Sequence, residues 1–452
     1  MKALFFVSFV ASLAFFLVGY DTVLVVYMGW KLFGPNLDVA GYLLSLVPVV
    51  GEIFAVISAL AGGVCADTFG RKFPLIVAGV SFFFGNLLKC SATSSFAVLI
   101  MGQAATGVGM GLSFSLCPVY IAELVPAPVR GLLTSATEVS FNMGILVGYT
   151  TYQMFEAFPP AVAQKLLFGV ALFPSLLFTL GMAAMAESPV WLIVRRGRID
   201  EAKTILQGSS RRSPAEVNHI VSHVHHEQAP VKIAWNKFLR PPLRRVFISL
   251  AGLHVLRQLS GIETMTVESL LLVVHQEKKL VEVAGVIIQL VLRVAFATLS
   301  SWQVDKVGRR FTLLVSLACT SGFLVMYGLP LFCLRYGIIK VSEHGNTDQE
   351  RVARALSIFA VAGIMSSFHF GVGPVTWIYA GEVFDRYEVR AQGSSLGVVI
   401  NRAADTIWWL CFYHIARWLG MGGASLLVFV VLIGGLVFCF IFITDKQGQI
   451  LE

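Results

Sequence analysis

Apolar residues in this chain fall into long runs separated by short polar breaks. The runs cover residues 3–28, 41–62, 73–91, 96–118, 132–152, 165–186, 246–273, 281–302, 311–334, 352–380, 391–416 and 422–443. Several, such as Ala3 to Val18, Phe73 to Leu88 and Ala424 to Ile443, approach or reach the roughly 20 residues that cross a bilayer core. A backbone in hydrocarbon must satisfy its own hydrogen bonds, so each run is expected to be a helix. The short alternating segments of a membrane β-barrel are absent. The pattern predicts an all-α membrane protein with twelve transmembrane helices. The fifth, tenth and eleventh runs carry more polar residues than a lipid-facing helix would, and are expected to line an interior. Lys2 followed by Ala3 to Val18 has the outline of a secretory signal. The run continues through Asp21 to Tyr27 with no clear small-residue cleavage site, so a retained first helix is expected.

Composition narrows the class. Of 452 residues, 56% are hydrophobic and 13% charged. That charge is about half the ~25% of soluble domains, too little to cover a water-facing surface. The net charge of +8 does not point to nucleic acid, because the basic residues cluster in short loops between apolar runs. That placement is the one that sets membrane topology. The longest polar stretch, Glu187 to Arg245, is dense in Lys and Arg and is expected to be cytoplasmic. An even number of helices on each side of it then puts both termini there too. The seven cysteines are scattered without a CxxC, so neither a disulfide framework nor a metal site is expected.

The chain also repeats itself. Asp67-Thr68-Phe69-Gly70-Arg71-Lys72 closes the second run, and Asp305-Lys306-Val307-Gly308-Arg309-Arg310 closes the eighth. Glu123 and Arg130 follow the fourth run as Glu382 and Arg390 follow the tenth. Glycine permits a tight turn between helices, and arginine can grip a carboxylate with two bonds. An isolated copy reads as a topology signal or a surface ion pair worth about 0–1 kcal/mol. Two copies at matched places suggest a shared conformational role. The expected organisation is a six-helix bundle over 1–188, a cytoplasmic linker with short helices over 189–243, a second six-helix bundle over 244–444, and a short tail over 445–452. Two such halves enclosing a mid-membrane site form a known transporter architecture.

These signatures, joined by Pro118 to Glu123, Glu187-Ser188-Pro189, Gln258-Leu259-Ser260-Gly261 and Gly373-Pro374-Val375-Thr376-Trp377, resemble the sugar porter family of the major facilitator superfamily. The resemblance runs over nearly the whole chain. Arg130 to Ser135 leading to Glu138, Gly144 to Tyr149, and Arg390-Ala391-Gln392-Gly393 leading to Asn401 are similar to plant polyol and monosaccharide transporters. The resemblance implies alternating access and, in this subgroup, proton symport. It implies solute contacts at Glu138, Gln258, Trp377, Phe368, Gly373 and Asn401, with Arg257, Glu263 and Arg293 at neighbouring positions. It implies proton coupling at Asp21, with Glu138 a second candidate. It assigns gating and interhelix roles to Asp67, Gly70, Arg71, Glu123, Arg130, Glu187, Asp305, Gly308, Arg309, Glu382 and Arg390. A hydroxyl-rich solute needs amide and carboxylate partners and an apolar wall for its C–H face, which these residue types supply. An intramembrane carboxylate is costly when charged and tends to take up a proton.

The sequence departs from the family at several of these places. Gln103 stands where the family has the arginine that partners the first-helix acid, which leaves Asp21 without its expected counter-ion. Arg257 replaces a glutamine, and Glu263 is complementary to it in charge, though their spacing does not stack them directly on a regular helix; the alternatives are a buried Arg257–Glu263 pair that reshapes the site and a drifted copy that transports poorly. Glu268, Glu52 and Asp405 add carboxylates, Val190 replaces an arginine, and Asp385 replaces a proline. His223, His225 and His226 are read as a solvated loop cluster and His369 as a polar lining residue. Gly107 to Gly111 lacks the Lys-Ser/Thr of a phosphate loop and is read as helix packing. No nucleophile–base constellation is present, so no enzyme is expected.

The expectation is a monomeric multi-pass carrier, in the plasma membrane or alternatively the vacuolar membrane, for a monosaccharide or polyol. Its partners are that solute and the lipid bilayer, without nucleic acid, metal or any cofactor beyond the proton gradient. An uncoupled facilitator, an anion carrier reading its solute with Arg257 and Arg293, and a transport-deficient sensor or relic are the alternatives.

Overall fold

The computed structural model describes residues 2–33, 40–92, 95–210, 214–225, 235–241, 243–263, 279–336, 348–384 and 386–443. Its long helices are α1 (Lys2–Phe33), α2 (Ala40–Phe69), α3 (Lys72–Ser91), α4 (Phe96–Leu124), α5 (Arg130–Phe155) and α6 (Pro160–Ala184). Three short helices follow, α7 (Pro189–Arg196), α8 (Ile199–Ser210) and α9 (Pro214–His225). Then come α10 (Leu243–Leu259), α11 (Lys279–Val307), α12 (Arg309–Arg335), α13 (Asp348–Phe370), α14 (Val372–Glu382) and α15 (Tyr387–Phe442). Among the described residues there is no strand.

Nine helical segments among the described residues are long and apolar enough to cross a membrane on composition alone. The predicted spans outside that group are α5, α10 and the first part of α15. They are the polar ones: α5 buries Thr134, Ser135, Thr137, Glu138 and Asn142, and α15 buries Gln392, Ser394, Ser395, Asn401 and Arg402. Large apolar side chains such as Phe84, Phe173, Phe359 and Val430 point outward, Phe173 with 74% of its surface free. Such a surface suits hydrocarbon and not water. Twelve spanning helices in two bundles describe the fold.

By contact, the chain forms two compact units, one of residues 1–251 with 377–403 and the other of residues 252–376 with 404–445. In the first, α1 packs along α5, α2 along α4, and α3 against both α4 and α6. Small residues set these approaches, as expected where helices associate through close packing in lipid. A Cβ on Gly111 would come within 2.1 Å of Ala55 O, and one on Gly107 within 2.3 Å of Gly51 O. Gly107 and Gly111 of α4 are therefore helix packing against α2, while Gly109 meets Ala78 and Phe82 of α3. In the second unit α13 packs on α11 and α12.

Several helices differ from the apolar runs that predicted them. The second and fourth runs end at residues 62 and 118, but α2 continues to Phe69 and α4 to Leu124. Asp67 and Glu123 in these last turns are buried with partners, so polarity does not end the helix. The tenth run is broken at Gly371. Pro374 has no N–H to continue the ladder, and the Val372 N–H instead donates to Ser316 Oγ at 3.1 Å. Gly371 is pressed on α12, where a Cβ would lie 2.5 Å from Thr312 O. The last two runs join as α15 with a kink at Gly420 (φ 71°). There the Arg335 guanidinium donates to Arg417 O and Trp418 O at 3.4 and 3.3 Å. The seventh run was expected to reach residue 273; α10 stops at Leu259, and Ser260 and Gly261 (φ 65°) turn the chain. Residues 264–273 of that run lie outside the described residues.

The linker is helical for local reasons. Ser188 caps α7 by accepting from Trp191 N at 3.2 Å, Pro189 opens it, and Gly197 (φ 65°) closes it. Val190, where the family has arginine, packs with Ile193, Leu206, Val217 and Val221 in an apolar cluster shared by α7, α8 and α9.

Candidate functional site

Glu138 on α5 is fully buried in the first unit, and its Oε2 accepts a 2.9 Å bond from the Trp377 indole N–H. Phe114 stacks on Trp377 at 4.9 Å between ring centroids, and Phe15 meets both rings edge-on at 4.7 and 5.2 Å. The result is an aromatic wall with one carboxylate held against it. Beyond Phe114 lies the Arg402 guanidinium, 5.1 Å from the ring centre. Arg402 donates to Asn401 Oδ1 at 2.9 and 2.6 Å and to both oxygens of Glu52 at 3.3 Å. Glu138, Trp377 and Asn401, predicted as solute contacts, therefore belong to one unit, and Glu138 touches Trp377 directly. Phe15, Phe114 and Arg402 were not singled out as site residues. Arg402 beside Asn401 and Glu52 in an otherwise apolar run were the available signals.

Asp21 on α1 is not left without a counter-ion. Lys89, from the last turn of α3, forms an ion pair with it. The same ammonium donates to Gln103 Oε1 and Thr106 Oγ1, each at 3.1 Å. Thr106 Oγ1 lies 3.4 Å from Asp21 Oδ2. Lysine has three donors and no acceptor, and here all three donors are engaged. The Phe168 ring centre lies 5.2 Å from Nζ, and the Lys89 backbone carbonyl accepts from Gln164 Nε2 at 2.9 Å. Gly102 makes room for the lysine stem, since a Cβ there would stand 2.6 Å from Lys89 Cγ. Sequence reasoning missed Lys89 because attention fell on position 103, while the cation that meets Asp21 comes from the neighbouring helix α3.

The repeated signatures form ion-pair and capping sites. Arg71 grips Glu123 with Nε and Nη2 at 3.0 and 2.9 Å and reaches Asp67 Oδ1 at 3.4 Å. Asp67 also accepts from Arg195 at 3.2 Å and from Gln392 Nε2 at 2.8 Å, and its carbonyl accepts from Trp191 Nε1 at 3.0 Å. Ser188 Oγ donates to Glu123. Glu187 Oε1 takes the backbone N–H groups of Arg71 and Ser188 at 2.9 and 2.8 Å. Gly70 (φ 98°) makes that approach possible, as a Cβ there would lie 2.1 Å from Glu187 Oε2. Burial raises the Glu187 carboxyl above its ordinary value, and the backbone donors of Ser188, Lys72 and Arg71 only partly pull it back.

Arg130 and Arg390 do the same local job in their two copies. Arg130 donates Nε and Nη2 to Val125 O, both at 3.4 Å, and Arg390 donates Nε and Nη2 to Phe384 O at 3.1 and 3.0 Å. Each cation satisfies a carbonyl just past a helix end.

In the second unit, Arg309 pairs with Asp305 at 3.0 Å and Gly308 has φ 101°, mirroring Asp67, Arg71 and Gly70. A buried Arg257–Glu263 pair does not form among the described residues. Arg257 Nη1 donates to Gly373 O in the first turn of α14 at 2.9 Å, and its guanidinium lies 5.5 Å from the Phe368 ring centre. Glu263, two residues past the Gly261 turn, is half-buried. Gln258, Arg293, Phe368 and His369 are buried, with His369 edge-on to Phe368. Asp405 is buried on α15, and Glu382 is half-buried at the end of α14. Glu268, Asp385 and His226 lie outside the described residues, as do the side chains of His223 and His225. Among the described residues no three His, Cys, Asp or Glu cluster as metal ligands.

Comparison with known proteins points in one direction. The family model described as "Sugar (and other) transporter" matches residues 7–452. Putative polyol transporter 1 of Arabidopsis thaliana is 30% identical over 468 residues, covering 98% of this chain and 89% of that protein. The D-xylose transporter of Levilactobacillus brevis is 27% identical over 454 residues, covering 99% and 92%. Among solved structures, the proton:xylose symporter XylE bound to 6-bromo-6-deoxy-D-glucose superimposes with a TM-score of 0.85 at 20% identity, covering 100% of this chain and 98% of that one.

Proposed function

Because the chain belongs to the sugar (and other) transporter family, within the major facilitator superfamily, we propose that it carries a monosaccharide or polyol across a membrane by alternating access, driven by a proton gradient. It is a multi-pass membrane transporter and not an enzyme. The observation that carries the solute reading is the buried Glu138 carboxylate held by the Trp377 indole against Phe15 and Phe114. A carboxylate accepts hydroxyl hydrogens, and an aromatic face takes the C–H side of a sugar ring or polyol chain. The names of the plant and bacterial relatives, polyol transporter and D-xylose transporter, support the same solute class. Arg257 supports an anion reading less well, since Gly373 O and Phe368 already engage it. The dense basic residues of the α7–α9 region favour a cytoplasmic placement of that linker.

Ligand binding to the folded state raises its stability by RT ln(1 + [L]/Kd), about 2.7 kcal/mol at a hundred times Kd. A thermal-shift scan of the purified protein with polyols, pentoses, hexoses and organic anions therefore tests the reading. A hydroxylated solute should raise Tm in the wild type and fail to do so in Glu138→Ala. A rise with organic anions and none with polyols or sugars would overturn it.

A further inference from the structure

The cluster around Lys89 carries an inference specific to this chain, and it rests on the proton-coupled reading above. We propose that Lys89 is the working counter-ion of the coupling carboxylate Asp21, the cation having moved from position 103 on α4 to position 89 on α3. Gln103 has thereby become a holder of that cation.

Three observations and one principle support the assignment. The ammonium is fully buried and its partners are Asp21, Gln103 and Thr106, one acceptor for each of its three donors. Gln103, where the family resemblance implies an arginine, turns its amide oxygen toward the Lys89 ammonium at 3.1 Å. Glycine at 102 leaves the space that the lysine stem occupies. A buried charge without such partners would be strongly disfavoured in a membrane helix, so the site is built for it.

The pair ties α1, α3 and α4 together at one point. A proton arriving on the Asp21 carboxylate removes its negative charge, leaves Lys89 on Gln103 and Thr106, and cuts the tie to α1. Loss of that proton restores the pair. The other titratable or charged groups on the surrounding elements are few. Tyr20 on α1 donates its hydroxyl to Leu167 O, and Tyr152 on α5 packs in the same cluster as Tyr20 and Phe168. Cys90 donates to Lys165 O, the Lys165 side chain is exposed on α6, and Glu52 on α2 is held by Arg402. Asp21 and Lys89 are thus the oppositely charged pair at this place.

The test separates two fluxes of the full-length protein in proteoliposomes loaded with labelled polyol or hexose. Equilibrium exchange reports solute binding and alternation without a driving force, while accumulation under an inward proton gradient reports coupling. Lys89→Met should keep exchange within about threefold of wild type and lose gradient-driven accumulation. Lys89→Met/Gln103→Arg, which returns the cation to α4, should regain accumulation, and Lys89→Arg should retain it. Accumulation that persists in Lys89→Met overturns the proposal. So does a parallel fall of exchange and accumulation in Lys89→Met and Lys89→Arg alike, which would mark a packing role. A Lys89→Met/Gln103→Arg protein that exchanges but does not accumulate overturns it as well. A wild type that exchanges no hydroxylated solute refutes the underlying transport reading instead.

Discussion

At the scale of single residues, chemistry here is set by which donor meets which carboxylate. Trp377 is both a wall and a donor, and Trp377→Phe keeps the wall while removing the N–H that Glu138 accepts at 2.9 Å. Losing a donor to a buried charged acceptor costs about 1–3 kcal/mol. The Tm in detergent should accordingly fall by several degrees, and uptake KM should rise because the carboxylate is no longer held against the wall. Glu187 gives a pH-dependent prediction. Its folded-state carboxyl is raised above 4.5 by burial, so the native state favours the protonated form. Its contribution to stability is fully present below the unfolded value and is lost as pH rises through the raised value. The Tm of wild type relative to Glu187→Gln should therefore decline as pH rises above about 4.5, and a flat difference across pH 4 to 8 would contradict this. Much at this scale was readable in the sequence, because Asp67, Arg71, Glu123, Glu138 and Trp377 are polar or aromatic residues in places where apolar ones would serve packing better. Lys89 was not. A lysine near the end of an apolar run looks like a topology signal, and only the approach of α1, α3 and α4 shows that it faces Asp21.

At the scale of elements, the apolar runs located the spans but not their interruptions. The break between α13 and α14 depends on Pro374 and on Ser316 from another helix, and a sequence window holds only the first of these. Ser316→Ala leaves the Val372 N–H without its acceptor, and Ser316 Oγ also bonds Ser367 O at 2.6 Å. An unsatisfied buried donor costs about 1–3 kcal/mol. A fall in Tm of several degrees in detergent is expected, and an unchanged Tm would show that the break holds itself. The helix ends that ran past the apolar boundary have the same logic. Asp67 and Glu123 continue α2 and α4 because Arg71 neutralises both, a pairing that the linear pattern does not display. Arg257 is a related case. Its charge suggested a match with Glu263, but its guanidinium bonds the Gly373 carbonyl and lies beside the Phe368 ring instead.

At the scale of the whole molecule, a repeated six-helix plan, a lipid-facing apolar exterior and a few buried charges make a carrier. The plan was legible early, since the Asp-x-x-Gly-Arg signature recurs with the same positive-φ glycine, φ 98° at Gly70 and 101° at Gly308. What a repeat cannot reveal is which solute and which driving force its interior serves. Glu138 beside an aromatic wall and Asp21 beside a lysine are the two features that bear on those questions. Uptake of labelled polyols, hexoses and organic anions into proteoliposomes, with and without an inward proton gradient, tests the proton-driven carrier most directly. The predicted result is saturable uptake of a hydroxylated solute that the gradient drives above equilibrium. Uptake of organic anions alone, or a sugar flux indifferent to the gradient, would contradict it.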